Sequence, residues 1–193
     1  MQKNMEEITK TCIFITMKDK QESSSPSLHN VTQAIKTMEG SAKEKQEALD
    51  KRYIRMASIW AENSYCKRRQ VGALIVKDKM IISDGYNGTP AGFENVCEDD
   101  NNVTKPYVLH AEANAITKIA RSNNSSDGAT MYVTASPCIE CSKLIIQAGI
   151  KRVVYSEKYR LEDGIELLKR AGIEVVYVAT GYKIQATSSE QEP

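Results

Sequence analysis

The stretch that decides the fold runs from residue 130 to residue 178 and reads TMYVTASPCIECSKLIIQAGIKRVVYSEKYRLEDGIELLKRAGIEVVYV. Short runs rich in β-branched residues, typical of buried strands, alternate in it with longer helical patterns. Gly149 and Gly172 follow the two helical patterns, where glycine commonly ends a helix. The predicted elements are strand 130–135, helix 138–148, strand 152–155, helix 161–171 and strand 173–178. Strands that alternate with helices predict a layered α/β sandwich.

Upstream segments supply the rest of this sandwich. Residues 71–76 and 80–82 are β-branched runs separated by a charged turn, which predicts a hairpin. Residues 111–121 have the pattern of a helix. Another amphipathic helix is expected from Ser41, a plausible N-cap, to about residue 63. The long polar segment 86–105 has a length that, in a compact domain, usually indicates a functional or a disordered loop.

The two ends of the chain differ from the middle. Residues 1–42 are predicted to be an N-terminal extension of unknown role, with a Ser-rich break before Pro26 and a weak helical stretch closed by Gly40. Residues 43–182 form the predicted domain. Residues 183–193 are polar and have nothing to bury, so we expect a disordered tail.

The composition is that of an ordinary globular protein, with 41% hydrophobic and 26% charged residues among 193. A net charge of +1 provides no broad basic surface, so neither nucleic acid nor a membrane is expected as a partner. No apolar run reaches the length of about 18 residues that spans a bilayer. Glu6 and Glu7 stand where a secretory signal would have its apolar core, which predicts a cytoplasmic location.

Four residues stand out as candidates for chemistry. Cys138 and Cys141 form a C-x-x-C, which in a reducing compartment favours metal or redox chemistry over a disulfide framework. His110 and Glu112 open the predicted helix 111–121. Alone, each feature has an ordinary reading as a chance or redox cysteine pair, a structural histidine or a solvated first-turn acid. Their combination is specific. The other cysteines, Cys12, Cys66 and Cys97, have no predicted role.

The spacing of these residues predicts a catalytic zinc site. Cys138 and Cys141 face the same way on a helix, and Pro137 fixes the backbone at its entrance, where the positive helix end lowers thiol pKa values. Two thiolates and the His110 imidazole bind Zn²⁺ and leave one tetrahedral position for water. Glu112 lies about 200° around an ideal helix from His110. Both can face the metal only if His110 sits at the helix edge, where Glu112 can be a proton shuttle without being a ligand.

The combination H-x-E with P-C-x-x-C is the signature of the zinc nucleobase deaminases, and the sequence resembles the cytidine deaminase superfamily. Within it the sequence is most similar to the deoxycytidylate (dCMP) deaminases, through residues 71–73, 85–90, 107–116 and 131–138. The resemblance implies a three-layer α-β-α sandwich with a mixed central sheet of about five strands. It also implies one catalytic zinc per chain and hydrolysis of dCMP to dUMP and ammonia, which supplies dUMP for thymidylate synthesis.

The resemblance further implies roles for individual residues. A zinc-bound hydroxide attacks C4 of the pyrimidine, and Glu112 protonates the neighbouring ring nitrogen and then the departing ammonia. Asn87 holds the deoxyribose 3′-hydroxyl, and Arg68 and Tyr159 match positions that contact phosphate and nucleotide in some members. Asn87 could instead be a turn residue, and Arg68 part of a solvated basic turn. The implied substrate contacts are completed by Ala111 and Ser136.

Regulation and assembly are also implied by the resemblance, since members are commonly hexamers that dCTP activates and dTTP inhibits. The implied effector loop, which could equally be an ordinary Gly/Pro turn, consists of Thr89, Pro90, Ala91 and Gly92. A bound triphosphate effector would bring Mg²⁺. Some phage members hold a second zinc through two cysteines and two histidines. Here the other histidine, His29, lies in the N-terminal extension, so no second zinc is expected at Cys66 and Cys97.

Two other functions remain as alternatives. A tRNA adenosine deaminase, or another nucleoside deaminase, shares the zinc motif, but a tRNA enzyme needs a basic face that the net charge of +1 does not favour. A competence-type protein could keep the fold for assembly, with zinc as a structural element. The presence of all four chemical residues favours an enzyme.

Overall fold

The structure is a computed structural model that describes residues 28–159 and 162–179. Within these ranges the chain forms four helices and five strands. They are α1 (Leu28–Ala61), β1 (Gly72–Lys77), β2 (Met80–Tyr86), α2 (Ala111–Ala120), β3 (Thr130–Ala135), α3 (Ile139–Gln147), β4 (Arg152–Glu157), α4 (Asp163–Arg170) and β5 (Glu174–Tyr177). Residues 1–27 of the predicted extension and the predicted tail 183–193 lie outside the described residues.

The chain divides into two compact units, Met1–Glu44 and Lys45–Pro193. Helix α1 crosses the boundary, and every strand and every later helix belongs to the second unit. Among the described residues, no helix combines the length and apolar character that a bilayer-spanning segment needs. All residues of the candidate site described below belong to the second unit.

The five strands form one mixed sheet in the order β2-β1-β3-β4-β5. Strand β1 is antiparallel to both of its neighbours, whereas β3, β4 and β5 run parallel to one another. Because β1 runs against β3, the start of β1 lies at the same edge of the sheet as the ends of β3 and β4. Ligands of open α/β sheets bind outside the carboxyl ends of the parallel strands, which makes this edge the expected place for a site.

Helices cover both faces of this sheet, because successive side chains of a strand point to opposite faces. On one face, Ile75 of β1 belongs to a buried cluster with Ala115 of α2 and Ile145 of α3. On the other face, its neighbour Leu74 belongs to a cluster with Ile54 of α1. The α1 layer, the sheet and the layer of α2, α3 and α4 confirm the three-layer sandwich and its mixed five-stranded sheet.

A buried ion pair joins α1 to the sheet. The Asp50 carboxylate accepts hydrogen bonds from the Arg152 guanidinium at 2.9 and 2.7 Å, from the Tyr132 hydroxyl at 2.9 Å and from the Gln46 amide at 2.9 Å. Burial by itself would raise the pKa of Asp50, but the hydrogen bonds from Arg152, Gln46 and Tyr132 outweigh it and lower the pKa below 3.8. Asp50 is therefore ionised in the folded protein at neutral pH.

Two glycines allow backbone segments around the site to pack without a side chain between them. A Cβ on Gly85 would overlap the carbonyl oxygen of Ala111, so β2 lies directly against the first turn of α2. A Cβ on Gly164 would overlap the carbonyl oxygen of Pro137 and would lie 2.8 Å from the carbonyl carbon of Cys138. Helix α4 therefore packs directly on the turn that leads into α3.

Two predicted boundaries are wrong. The sequence predicts a helix end at Gly40 and a new helix start at Ser41, but α1 continues through both residues. A glycine inside a helix costs only about 1 kcal/mol relative to alanine, and the lysine, glutamate and alanine residues that follow have high helix propensity. Strand β2 extends to Tyr86 and not only to residue 82, because residues 83–86 also pair with β1, beyond a shift of register at Ile82.

Candidate active site

Three potential metal ligands meet where α2 and α3 begin. His110 directly precedes α2, with extended backbone angles of φ −74° and ψ 157°. Cys138 directly precedes α3, with φ −74° and ψ 169°, and Cys141 follows in the first turn of that helix. The Nδ1 atom of His110 lies 3.5 Å from the Sγ of Cys138 and 3.4 Å from the Sγ of Cys141.

These ligand atoms fit a tetrahedral zinc ion. All three lie within 4.8 Å of one another. Zinc binds sulfur at about 2.3 Å and nitrogen at about 2.0 Å, and a tetrahedral angle between two such bonds separates the atoms by about 3.5 Å. The observed distances between sulfur and nitrogen match this value. Two thiolates and an imidazole are also a donor set that zinc prefers, with one tetrahedral position left to a non-protein ligand.

The two thiols hold their protons differently. Hydrogen bonds with Cys141 and His110 lower the pKa of Cys138 to about 3, so Cys138 is a thiolate at neutral pH. The hydrogen bond to Cys138 and burial together raise the pKa of Cys141. The contact with Cys138 also raises the pKa of His110. Because zinc binds thiolates and neutral imidazole, metal binding would release the protons that these groups hold.

Glu112 lies beside the ligands and is not one of them. It belongs to the first turn of α2 and is only 4% exposed. Burial raises the pKa of its carboxyl above 4.5, against the opposing effects of a backbone hydrogen bond and of His110. A buried carboxyl with a raised pKa suits general acid–base catalysis, in which one group takes up and returns a proton.

A cleft of about 350 Å³ opens beside these residues. His110, Glu112 and Cys138 line it, and its other walls come from the segment before β1, the loop before α2 and the ends of β2, β3 and β4. The structure brings all five predicted substrate contacts to this cleft, namely Arg68, Asn87, Ala111, Ser136 and Tyr159. Residues from across the sequence therefore meet at the sheet edge that the topology indicates.

Asn87 is held rigidly at the end of β2. Its side-chain oxygen accepts a hydrogen bond from the Val71 amide at 2.7 Å, and its side-chain amide donates to the Arg69 carbonyl at 2.8 Å. An asparagine side chain offers two donor hydrogens and two acceptor sites. Asn87 therefore fixes the start of β1 and keeps one donor and one acceptor site for a ligand.

Arg68 and Tyr159 lie at the mouth of the cleft, and both are exposed. The Arg68 guanidinium donates to the Thr104 hydroxyl at 3.2 Å. No carboxylate of the described residues forms a salt bridge with it. The backbone amide of Tyr159 donates to the Ser136 hydroxyl at 2.7 Å, which links two of the predicted contacts.

Comparison with known proteins identifies this combination of site and fold. Residues 47–157, which include His110, Glu112, Cys138 and Cys141, match the family described as "Cytidine and deoxycytidylate deaminase zinc-binding region". The chain belongs to this deaminase family. The zinc-binding region of that description coincides with the ligand set that the structure brings together.

Individual relatives of this chain carry more specific names. The deoxycytidylate deaminase of Saccharomyces cerevisiae is 37% identical over 164 residues, which cover 77% of this chain and 52% of the yeast protein. The ComE operon protein 2 of Bacillus subtilis is 40% identical over 132 residues, which cover 65% of this chain and 69% of that protein. A crystal structure of dCMP deaminase from the cyanophage S-TIM5 in complex with dCMP and dUMP superposes with a TM-score of 0.65 at 46% identity, covering 70% of this chain and 97% of that one.

The sequence assigns no role to two charged residues that line the cleft, Arg69 and Lys158. In the sequence Arg69 is one of three consecutive basic residues, 67–69, and no local pattern distinguishes its role from those of the other two. Its partner in the structure, Glu157, lies 88 positions away in sequence, so no spacing rule could have found the pair.

A disulfide joins Cys66 and Cys97, two cysteines without a predicted role. Cys138 and Cys141, the pair for which the sequence favours metal or redox chemistry, form no disulfide in the structure. Cys66 precedes the arginine segment and Cys97 lies in the long loop before α2, so the disulfide fastens that loop to one wall of the cleft.

The predicted effector residues Thr89, Pro90, Ala91 and Gly92 lie outside the lining of the cleft. The Thr89 hydroxyl donates to the Glu94 carbonyl at 2.8 Å, and Gly92 has a positive φ of 91° that favours glycine. The residue before this loop, Gly88, pairs with Leu109 through hydrogen bonds of 3.1 and 2.8 Å. The loop is thus connected to the residue that precedes His110.

Proposed function

We propose that this chain is a zinc-dependent deaminase that hydrolyses dCMP to dUMP and ammonia, supplying dUMP for thymidylate synthesis in the cytoplasm. The observation that carries the proposal is the site itself, where a zinc-compatible ligand set lies beside a cleft lined by the buried Glu112 carboxyl and by Arg68, which forms no salt bridge with any described residue. The deoxycytidylate deaminase names of the yeast and cyanophage relatives support this choice of substrate.

The residues divide the work of the reaction. His110, Cys138 and Cys141 would hold zinc, which when bound lowers the pKa of a coordinated water so that the water can act as a nucleophile at neutral pH. Glu112 protonates N3 of the cytosine ring and afterwards carries a proton to the amino group that leaves C4. Water and dCMP thereby become dUMP and ammonia. Both protons come from the attacking water: Glu112 takes the first as the water adds to C4 and the second from the hydroxyl group that is then on C4, so the carboxylate is regenerated as ammonia leaves.

Recognition of the nucleotide falls to the other walls of the cleft. Arg68 meets the phosphate, since its guanidinium has only a hydroxyl as its hydrogen-bond partner among the described residues. The remaining donor and acceptor of Asn87 bind the deoxyribose 3′-hydroxyl. Ala111, Ser136 and Tyr159 complete the contacts to the nucleotide. Charge-assisted hydrogen bonds to a phosphate are the strong ones, so they favour dCMP over deoxycytidine.

Release of ammonia from dCMP, deoxycytidine and an adenosine-containing tRNA anticodon stem tests this assignment. We expect dCMP to exceed deoxycytidine in kcat/KM by at least about 100-fold, roughly 2.7 kcal/mol of transition-state binding. Arg68→Ala should reduce this ratio of kcat/KM values, because it should slow the reaction of dCMP more than that of deoxycytidine. Equal rates for dCMP and deoxycytidine would refute the substrate, and preference for the anticodon stem would favour a tRNA adenosine deaminase. Nucleotide binding without turnover would instead indicate a non-catalytic, competence-type protein.

We also propose that the loop of Thr89, Pro90, Ala91 and Gly92 binds nucleoside triphosphates that regulate activity. In this proposal dCTP binds together with Mg²⁺ and activates, and dTTP inhibits. The pairing of Gly88 with Leu109 supports this role, because it gives the loop a direct connection to the backbone at His110. A homo-oligomer, a hexamer in the full proposal, would bring several such loops together. Initial rates with each triphosphate, together with the mass in solution, test both parts.

A further inference from the structure

The two adjacent arginines at the cleft are in different electrostatic situations. The Arg68 guanidinium is exposed and reaches only the uncharged Thr104 hydroxyl, at 3.2 Å, among the described residues. The Arg69 guanidinium donates to the Glu157 carboxylate at 2.7 Å. The positive charge of Arg69 is therefore largely compensated, whereas that of Arg68 is not.

This difference determines which arginine suits a dianionic phosphate. A phosphate at Arg69 would have to compete with the carboxylate of Glu157 and would be repelled by it, since like charges at close range disfavour one another. The Arg68 guanidinium lines the same cleft and forms no salt bridge with any described residue. The pairing with Glu157 therefore makes Arg69 the less favourable phosphate ligand of the two and leaves it another role.

That role is indicated by the position of Arg69 over an aromatic ring. The guanidinium carbon of Arg69 lies 5.7 Å from the centre of the Tyr159 ring, within the distance of a cation–π contact. The backbone of Tyr159 is fixed separately, through its amide hydrogen bond to Ser136. Ser136 also follows β3 and donates its own amide to the Glu157 carbonyl at 2.8 Å. Arg69, Glu157, Ser136 and Tyr159 thus form one connected group at the ends of β3 and β4.

We infer that Arg69 is a positioning residue that acts through Tyr159. Glu157 anchors the Arg69 guanidinium, the guanidinium holds the tyrosine ring at the cleft mouth, and Arg68, not Arg69, meets the phosphate. The inference rests on the proposed function for the substrate, but the contact between Arg69 and the ring does not depend on it. Neither Arg69 nor Glu157 touches the reacting atoms.

Steady-state kinetics with dCMP and deoxycytidine separate the two arginines. Exposed cation–π contacts and exposed ion pairs each change an equilibrium by a few fold, so Arg69→Ala should raise KM for both substrates by about fivefold and leave kcat unchanged. The preference for dCMP should stay as in the wild type. Arg68→Ala is the matched control, because it should reduce that preference. In a Tyr159→Ala background, Arg69→Ala should have no further effect.

A second measurement decides the inference without turnover. In protein labelled with 3-fluorotyrosine, the ¹⁹F resonance missing from Tyr159→Phe reports on that ring. Arg69→Ala and Glu157→Gln should both shift it, and Arg68→Ala should not. The inference is overturned if Arg69→Ala lowers the preference for dCMP, if its effect multiplies with that of Tyr159→Ala, or if the resonance does not move. If the wild type fails to deaminate dCMP, the proposed function fails, and the resonance still decides the role of Arg69.

Discussion

Replacing Gly164 by alanine tests whether the metal site depends on the close packing of α4. The added Cβ would overlap the Pro137 carbonyl oxygen and would lie 2.8 Å from both the Cys138 carbonyl carbon and the Ser142 hydroxyl oxygen. Two of these three atoms belong to backbone and cannot rotate away. The turn before α3 must therefore move, and overpacking of this kind costs about 1 to 3 kcal/mol.

The movement has a second consequence, because it displaces a zinc ligand. The distance between the Cys138 sulfur and the His110 nitrogen, 3.5 Å, fits tetrahedral zinc as it stands. We expect Gly164→Ala to lower the free energy of unfolding by about 1 to 3 kcal/mol and to speed the loss of zinc to a chelator. Urea unfolding and the absorbance of a chromogenic chelator measure the two effects.

Gly40→Ala is the matched control for this prediction. Gly40 lies inside α1, and a Cβ at this position would meet nothing within 4 Å. The same substitution there should stabilise the helix by up to about 1 kcal/mol and leave zinc release unchanged. The reasoning would be refuted by a Gly164→Ala protein that unfolds and releases zinc as the wild type does, since the turn would then accept the methyl group without cost.

Other variants test the chemistry, the core and the boundary of the domain. Glu112→Gln should keep zinc but lose about 100-fold or more in kcat, because an amide cannot carry the proton; retained turnover beside a normal zinc content would assign the transfer to another group. Cys138→Ala should lose zinc, whereas the wild type should contain one zinc per chain by metal analysis, and a value of two would contradict the single site. Asp50→Asn should lower the free energy of unfolding at pH 7 by about 1 to 3 kcal/mol, because it removes the buried carboxylate of Arg152 and leaves the exposed Glu174 as its only ion-pair partner among the described residues. The wild-type advantage should be full above the unfolded-state pKa near 3.8 and should fall away as the pH drops through the lower folded-state value, and a pH-independent difference between the two proteins would contradict this. A chain that starts at residue 42 should still fold and deaminate dCMP, and an insoluble product would show that the extension is needed for folding.

The sequence was most informative where a local pattern decides the structure. The strand predicted at 130–135 has the observed bounds Thr130–Ala135, because its run of β-branched and aromatic residues between turns is compatible with little else. The two cysteine ligands could also be predicted from local spacing, since the cysteines of a C-x-x-C lie on the same face of a helix. The helix start predicted at Ser41 is wrong, because a capping signal in the sequence does not reveal that the preceding helix continues through it.

What the sequence could not predict depends on contacts between distant segments. Arg69 and its partner Glu157 are 88 positions apart in the sequence, and only the pairing of strands brings them together. The Cys66–Cys97 disulfide spans 31 positions between two loops, which no periodicity describes. Asn87 was predicted at the cleft from the resemblance, but its bonds to Val71 and Arg69 required the register of β1 and β2.

The antiparallel placement of β1 allows the two tasks of the cleft to evolve separately. The chain that enters β1 delivers the cations and the Asn87 contacts to the sheet edge, whereas α2 and α3 deliver the metal ligands and the proton shuttle. Residues 64–71 precede the first pairing of β1 at Gly72 and include Arg68, which is exposed. If the proposed function holds, substitution of Arg68 changes which nucleotide is preferred, while the metal ligands keep their places at the starts of α2 and α3. The selectivity of the cleft and its metal site are therefore separable by mutation.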